Sequence, residues 1–216
     1  MALRMLRVEL HDALQLPVNI WNLSALRTLN IEKCMRITGI PTCTTQLSSL
    51  TFLHIDDCTR LVKMEKAPQN LHTLRITFCQ MFARVPENLP QLLMLTTLEF
   101  HELAVKSLPD MQMLSAMKSL RVATCKHLVA IGALPVLLET LIISECDILA
   151  AMPENMQFLF ELETLELENL PLVTELVDVS LFSKLQRMCV VNCMALLIPT
   201  FLPVTLVHAS NAGPCQ

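Results

Sequence analysis

One segment, Leu-x-x-Leu-x-(Ile/Val/Leu/Phe)-x-x-(Cys/Leu), recurs nine times along this chain. Copies read Leu26-Leu29-Ile31-Cys34, Leu50-Leu53-Ile55-Cys58, Leu71-Leu74-Ile76-Cys79 and Leu138-Leu141-Ile143-Cys146. Leu95-Leu98-Phe100-Leu103, Met117-Leu120-Val122-Cys125, Leu162-Leu165-Leu167-Leu170 and Leu185-Met188-Val190-Cys193 follow the same form, and Leu3-Leu6-Val8 opens the series with His11 in the last slot. The copies start at 3, 26, 50, 71, 95, 117, 138, 162 and 185, so the steps are 23, 24, 21, 24, 22, 21, 24 and 23. No single unit can bury its own apolar edge. Each needs the next one stacked on it.

A period in this range is the signature of leucine-rich repeats. Within a unit the second and third apolar residues are two apart, and residues two apart share one face of a strand. That face turns inward and the intervening residues turn outward. The Cys three residues later is small, apolar and polarizable, which suits a buried ladder. Each repeat contributes four or five large apolar side chains, at roughly 1.5–3 kcal/mol apiece when buried. The expected fold is an α/β leucine-rich-repeat solenoid of about nine repeats of 21–24 residues. It should be curved and right-handed, with a parallel sheet on its concave face and an irregular or short helical convex side.

The convex half is best seen at Met152-Pro-Glu-Asn-Met-Gln-Phe-Leu-Phe-Glu-Leu162, and Leu16-Pro17 to Leu26 and Val85-Pro86 to Leu95 share its form. Leu108-Pro109 to Met117 is one residue shorter. Proline fits the start of a helical turn, where its missing donor costs nothing. Ala67-Pro-Gln-Asn-Leu71 and Leu134-Pro-Val-Leu-Leu138 are abbreviated and should lack a full helical turn. Residues 1–208 read as one solenoid, with Leu206 and His208 as a possible tenth strand, and residues 209–216 as a disordered tail. Repeat one starts at Leu3 with no polar cap. That raw end is what a fragment, or a chain continuing elsewhere, would show.

Composition narrows the function classes. Hydrophobic residues make up 53% and charged residues 17% of the 216. The charged share is below the average of roughly 25% for soluble domains, as a continuous core allows. Net charge is −4 and the isoelectric point about 5.9, which argues against nucleic acid as a partner. Only three glycines occur, so there is no phosphate-cradling loop. The N-terminus lacks an uninterrupted apolar stretch, and the longest apolar run, 195–207, is too short and too proline-interrupted to span a bilayer. We expect a cytoplasmic chain, no membrane insertion, and free thiols at its nine cysteines in a reducing compartment.

No pattern in the sequence makes a catalytic arrangement. Cysteines a repeat apart form a line, whereas zinc needs four ligands converging on a point. Cys125-Lys-His127 lacks a third orienting group. Glu166 and Glu168 lie on an exposed strand where nothing raises a carboxyl pKa for acid–base work. The expectation is no enzyme, no metal and no cofactor.

The outward strand positions form the candidate binding surface. The central row runs Arg7, Asn30, His54, Arg75, Glu99, Arg121, Ile142, Glu166, Cys189. A row of mostly Thr and Ser lies beside it and reads as structural, since β-branched residues and hydroxyls suit a pleated surface. Phe52 interrupts that row. The candidate protein-binding residues are Phe52, His54, Arg75, Phe78, Glu99 and Arg121, combining aromatic area with arginine forks, as interface hot spots do. Arg75, Glu99 and Arg121 are expected to pair across three strands, with Phe78 exposed or turned partly inward. A second patch is acidic: Asp56, Asp57, Glu99, Glu102, Glu166 and Glu168. It reads equally as a basic-partner site or a solubility-giving face.

Leu134-Pro-Val-Leu-Leu-Glu-Thr-Leu-Ile-Ile-Ser-Glu-Cys146 resembles the "LPxxLxxLxIxxC" pattern of plant intracellular immune receptors of the nucleotide-binding leucine-rich-repeat class. Leu61 to Met64, Leu128 to Ile131 and Leu149 to Pro153 resemble the "xxLxxLP" stretch that follows it there. The resemblance covers about residues 3–203. The family's nucleotide-binding module and N-terminal signalling domains have no counterpart, so their ATPase and switch activities do not carry over. The resemblance implies recognition of a protein partner, an effector or a host protein, and contact with other domains of a longer receptor. The alternatives are a substrate-recruiting adaptor of a ubiquitin ligase, faintly echoed by Cys34-Met-Arg-Ile-Thr-Gly-Ile40, and a non-functional receptor fragment.

Overall fold

The computed structural model describes residues 2–196 and the backbone of 208–210. Nine five-residue strands come one from each repeat: β1 (Met5–Glu9), β2 (Thr28–Glu32), β3 (Phe52–Asp56), β4 (Thr73–Thr77), β5 (Thr97–His101), β6 (Ser119–Ala123), β7 (Thr140–Ser144), β8 (Thr164–Glu168) and β9 (Arg187–Val191). A tenth, β10 (His208–Ser210), pairs with β9. All ten form one sheet in chain order, and every neighbouring pair is parallel and shares one register. Leu206 and 211–216 lie outside the described residues.

The chain is a leucine-rich-repeat solenoid, as the repeat predicts. The register follows from the two-residue spacing, because sliding a strand by one residue would turn its core set to solvent. Leu29, Ile31, Leu53, Ile55, Leu74, Ile76, Leu98 and Phe100 are buried in one core with their equivalents in later repeats. Cys34, Cys58, Cys79, Cys125 and Cys146 are fully buried in it. Their thiols donate to nearby backbone carbonyls; Cys58 Sγ, for example, lies 3.5 Å from the Asp56 carbonyl and 3.8 Å from that of Ile31.

Directly before each of these cysteines, or before its equivalent Leu103, Leu170 or Cys193, stands a residue in left-handed backbone conformation: Lys33, Asp57, Phe78, Glu102, Thr124, Glu145, Asn169 and Asn192, at φ 50–57°. None is glycine. From Lys33 to Asn169 each N–H donates to a carbonyl of the following repeat, as Phe78 does to His101 at 2.9 Å. The ladder between repeats thus holds a conformation that local preference disfavours.

The convex side is short and irregular, as expected. Among the described residues five 3₁₀ turns cover Val18–Asn22, Thr42–Gln46, Leu89–Gln91, Met156–Phe158 and Val179–Leu181. Two-residue strands pair Gly39–Ile40 with Lys63–Met64, and Ser107–Leu108 with Ala130–Ile131. The two abbreviated connections carry no helical turn, and neither does the stretch 109–116.

Each abbreviated connection is closed by an asparagine from the next repeat. Asn88 Oδ1 accepts from the Ala67 N–H at 2.8 Å, and its Nδ2 donates to the Ala67 carbonyl at 2.8 Å. Asn155 grips Leu134 in the same way, at 2.9 and 2.7 Å. Both asparagines belong to a Pro-Glu-Asn sequence, at 86–88 and 153–155. The amide supplies the donor and acceptor that a missing turn would have offered to a part-buried peptide.

Candidate functional site

The shared register places His54, Arg75, Glu99 and Arg121 in one row across β3, β4, β5 and β6. At about 4.8 Å between strands, the row is about 14 Å long. Phe52 belongs to the neighbouring row, opposite Thr28 and Thr73. Phe78 follows β4 directly. Five of the six candidate residues therefore occupy four adjacent strands of the concave face, and Phe78 stands at the end of one of them.

Arg75 Nε lies 3.0 Å from Glu99 Oε2. Arg121 was expected to join this pair, but it has no ion pair among the described residues. Its exposed guanidinium is thus available to a partner. Exposed pairs contribute only about 0–1 kcal/mol, so the row's charges add little to stability. Phe52 is half-buried rather than exposed, because its ring has strands on both sides. Phe78 is outward, 42% exposed, and its ring lies 4.7 Å from that of His101 at 52°. The backbone at Phe78 is left-handed, at φ 53°.

Sequence reasoning missed a small network in the middle of this surface. Thr77, only 7% exposed, donates its hydroxyl proton to Asp56 Oδ1. His54 Nε2 lies 3.0 Å from the Thr77 hydroxyl oxygen. A hydroxyl has one proton, and it is spent on Asp56. His54 must therefore donate from Nε2, which fixes its tautomer and ring orientation. The available signal was three polar outward residues on two paired strands, but no rule of spacing distinguishes that from a solvated ladder.

The acidic patch does not form one site. Asp56 is held by Thr77, Glu99 by Arg75, Glu102 accepts from Gln80 Nε2 at 2.6 Å, and Glu166 lies 3.4 Å from Arg187. Asp57 and Glu168 have no ion pair among the described residues.

Among the described residues seven cysteines are free thiols: Cys34, Cys43, Cys58, Cys79, Cys125, Cys146 and Cys193. Cys189 is disulfide-bonded, so the expectation of free thiols throughout does not hold there. Burial pushes Cys125 up to about 12 and Cys146 to about 11. Cys58 is pulled down by the Cys34 thiol but raised further by Cys79 and burial, to about 12. Cys34 is raised by its contact with Cys58 and by burial. These thiols are poor nucleophiles, because the thiolate is the reactive form. No group of three or more His, Cys, Asp or Glu able to hold a metal occurs among the described residues. No helix of the described residues is long and apolar enough to cross a membrane.

No protein-family profile matches the chain, and no curated protein matches it. Solved structures do. The leucine-rich repeat domain of the type III effector XopL is similar over 95% of this chain and 75% of that one, with a TM-score of 0.72 and 21% identity. A leucine-rich-repeat protein of Leptospira interrogans is similar over 94% of this chain and 57% of that one, with a TM-score of 0.53 and 17% identity. At these identities the likeness is one of fold.

Proposed function

We propose that this chain is a non-catalytic protein-recognition module that reads its partner across β3–β6 of the concave face. The observation that carries this reading is the alignment of His54, Arg75, Glu99 and Arg121 on four adjacent strands, flanked by Phe52 and Phe78. The row offers an oriented imidazole, an uncommitted guanidinium and an outward aromatic ring. Such groups recognise polypeptide by charge-assisted hydrogen bonds and ring contact. Nothing in the row concentrates or desolvates a charge as catalysis requires.

The resemblance of Leu134 to Cys146 to plant immune-receptor repeats supports a narrower role. In that role the chain is the ligand-sensing repeat region of a plant-type innate immune receptor, or a truncated relative, working in the cytoplasm. Its partner is then an effector or host protein, or another domain of a longer receptor.

Affinity capture with the native chain and with an Arg75→Glu/Arg121→Glu double variant tests the reading, with folding of both checked by circular dichroism. A protein retained by the native chain and lost by the folded variant is the expected result. Equal capture by both overturns the assignment of the row.

A further inference from the structure

A short turn leads from the convex side into each strand from β2 to β9. It is closed by a backbone bond, such as that from the Leu95 N–H to the Leu92 carbonyl at 2.8 Å. Before β2, β3 and β4 this corner carries Asn22 and Ser24, Gln46 and Ser48, and Gln69 and Asn70. Polar residues are what a surface turn favours. Before β5 to β9 the same corner is apolar. Leu93, Met113, Val136, Phe158, Phe160 and Leu181 stand there, 42–69% exposed, and Met94 and Leu137 widen the strip. The fold does not require these side chains, since the first three corners make the same turn without them. Half-exposed side chains of this size offer roughly 80–100 Å² apiece, about 700 Å² in all. The largest apolar patch on a monomer is about 300–600 Å², and a stable interface takes about 800 Å² from each partner. The strip exceeds the first and approaches the second. Beside it, Lys118 pairs with Glu139 and Lys184 with Glu161. Those charges are spent within the chain, so the strip suits an uncharged, apolar surface.

We propose that this strip docks a second copy of the chain, with the repeats running antiparallel and a two-fold axis at the turn before β7. A two-fold contact demands a patch complementary to itself. The axis before β7 gives each of the five apolar corners an apolar partner. Val136 and Leu137 meet the partner's Val136 and Leu137. Leu93 and Met94 meet the partner's Leu181. Met113 meets the partner's Phe158 and Phe160, and a thioether against an aromatic ring is a favourable contact. Bulk also matches room there. The corner before β8 carries two phenyl rings, and the corner before β6 carries Ser115 and Ala116 beside its one large side chain. An axis before β6 would instead set the two rings against the polar corner of Gln69 and Asn70. The concave row takes no part in this contact, so it neither rests on the recognition reading nor obstructs it.

Sedimentation equilibrium of the full chain over a concentration series tests this. The native chain reaches twice its 24.3 kDa mass. Met113→Glu and Phe158→Lys each stay monomeric, because each sets an unpaired charge against an apolar side chain at two places. Mixed in equal amounts the two variants recover the dimer. One Met113–Phe158 contact is then native, and at the other the introduced carboxylate meets the introduced ammonium. That recovery shows that both are folded. Leu93→Ser/Val136→Ser gives a second readout. It uses a residue that the corners before β2 and β3 already carry, so the turn is kept, and dimer affinity falls at least tenfold. Val18→Glu, at an exposed apolar residue outside the strip, leaves the dimer unchanged. A monomeric native chain leaves the strip to a different partner and overturns the proposal. So do assemblies larger than a dimer, dimers that survive Met113→Glu, Phe158→Lys or the double serine change, loss of the dimer in Val18→Glu, or folded variants that fail to combine.

Discussion

On the concave side nine five-residue strands share one register, and six of them share one alternation of buried and outward residues. On the convex side consecutive repeats close differently: by 3₁₀ turns, by two-residue strand pairs, or by a bare turn gripped by an asparagine. The two sides share a chain and a core, but not a source of order. The sheet is ordered by repetition, since each strand copies its neighbour's hydrogen bonds and apolar contacts. The connections are ordered singly, by a proline, a glycine or an amide at one position. Damage to the sheet side should therefore be spread over many repeats, and damage to the convex side should be local and specific to one residue.

Alkali is the broadest challenge to the repeating side. Cys58, Cys125 and Cys146 titrate in the fold at about 12, 12 and 11, above the ordinary thiol value of 9.0. Folding therefore holds protons that the unfolded chain would release. The stabilisation is complete below pH 9 and is lost as pH rises through the folded values. Each such thiol costs up to about 1.4 kcal/mol per pH unit in that window. Denaturant midpoints measured from pH 8 to 11 should fall steeply above 9, and a flat profile would contradict the buried ladder.

Asn88→Ala strips both hydrogen bonds from the Ala67 peptide. Two polar groups left without partners in a buried setting cost about 3 kcal/mol. Thr73→Ala, on the outward side of the sheet, should cost no more than about 0.5 kcal/mol. Chemical denaturation of both variants separates the two kinds of order, and equal losses would erase the distinction.

Gly132 acts at one point too. A Cβ there would lie 2.5 Å from the backbone of Pro109 and Asp110 in the preceding repeat. Gly132→Ala should destabilise by about 1–3 kcal/mol, the usual cost of forcing atoms into a packed site. An unchanged thermal midpoint would mean that the repeats separate there easily.

Thr124 should respond in the opposite direction, and least. It is β-branched and held at φ 54°, a conformation costing an L-residue roughly 1–2 kcal/mol. Glycine relieves that strain and returns part of the gain as chain entropy. Thr124→Gly should stabilise by about 0.5 kcal/mol, readable as a small rise in denaturant midpoint.

The same contrast explains what was legible in the sequence. Two apolar residues two apart, repeated at a near-constant period, specify strands, register and core together, because only one stacking buries all of them. The row His54–Arg75–Glu99–Arg121 followed directly from that spacing. The Asn88 and Asn155 clamps did not, since an asparagine after Pro-Glu resembles any polar turn until its partner 21 residues earlier is in view. The left-handed positions were hidden for a related reason. Lys33, Phe78 and Thr124 carry no local preference for positive φ, which the neighbouring repeat's carbonyl imposes. Side-chain choices within the row were also beyond spacing: Glu99 pairs with Arg75 and leaves Arg121 uncommitted, and Thr77 joins His54 to Asp56.

The recognition reading is tested most directly by titrating one purified partner against two charge-altering double variants, one on each side of the solenoid. Arg75→Glu/Arg121→Glu alters the concave row. Met113→Glu/Phe158→Glu alters side chains on the convex side that are 69% and 51% exposed. Calorimetry should show affinity falling at least tenfold for the concave variant, about 1.4 kcal/mol, and unchanged for the convex one. The reverse pattern, with both variants folded, would place recognition on the convex side and contradict the account.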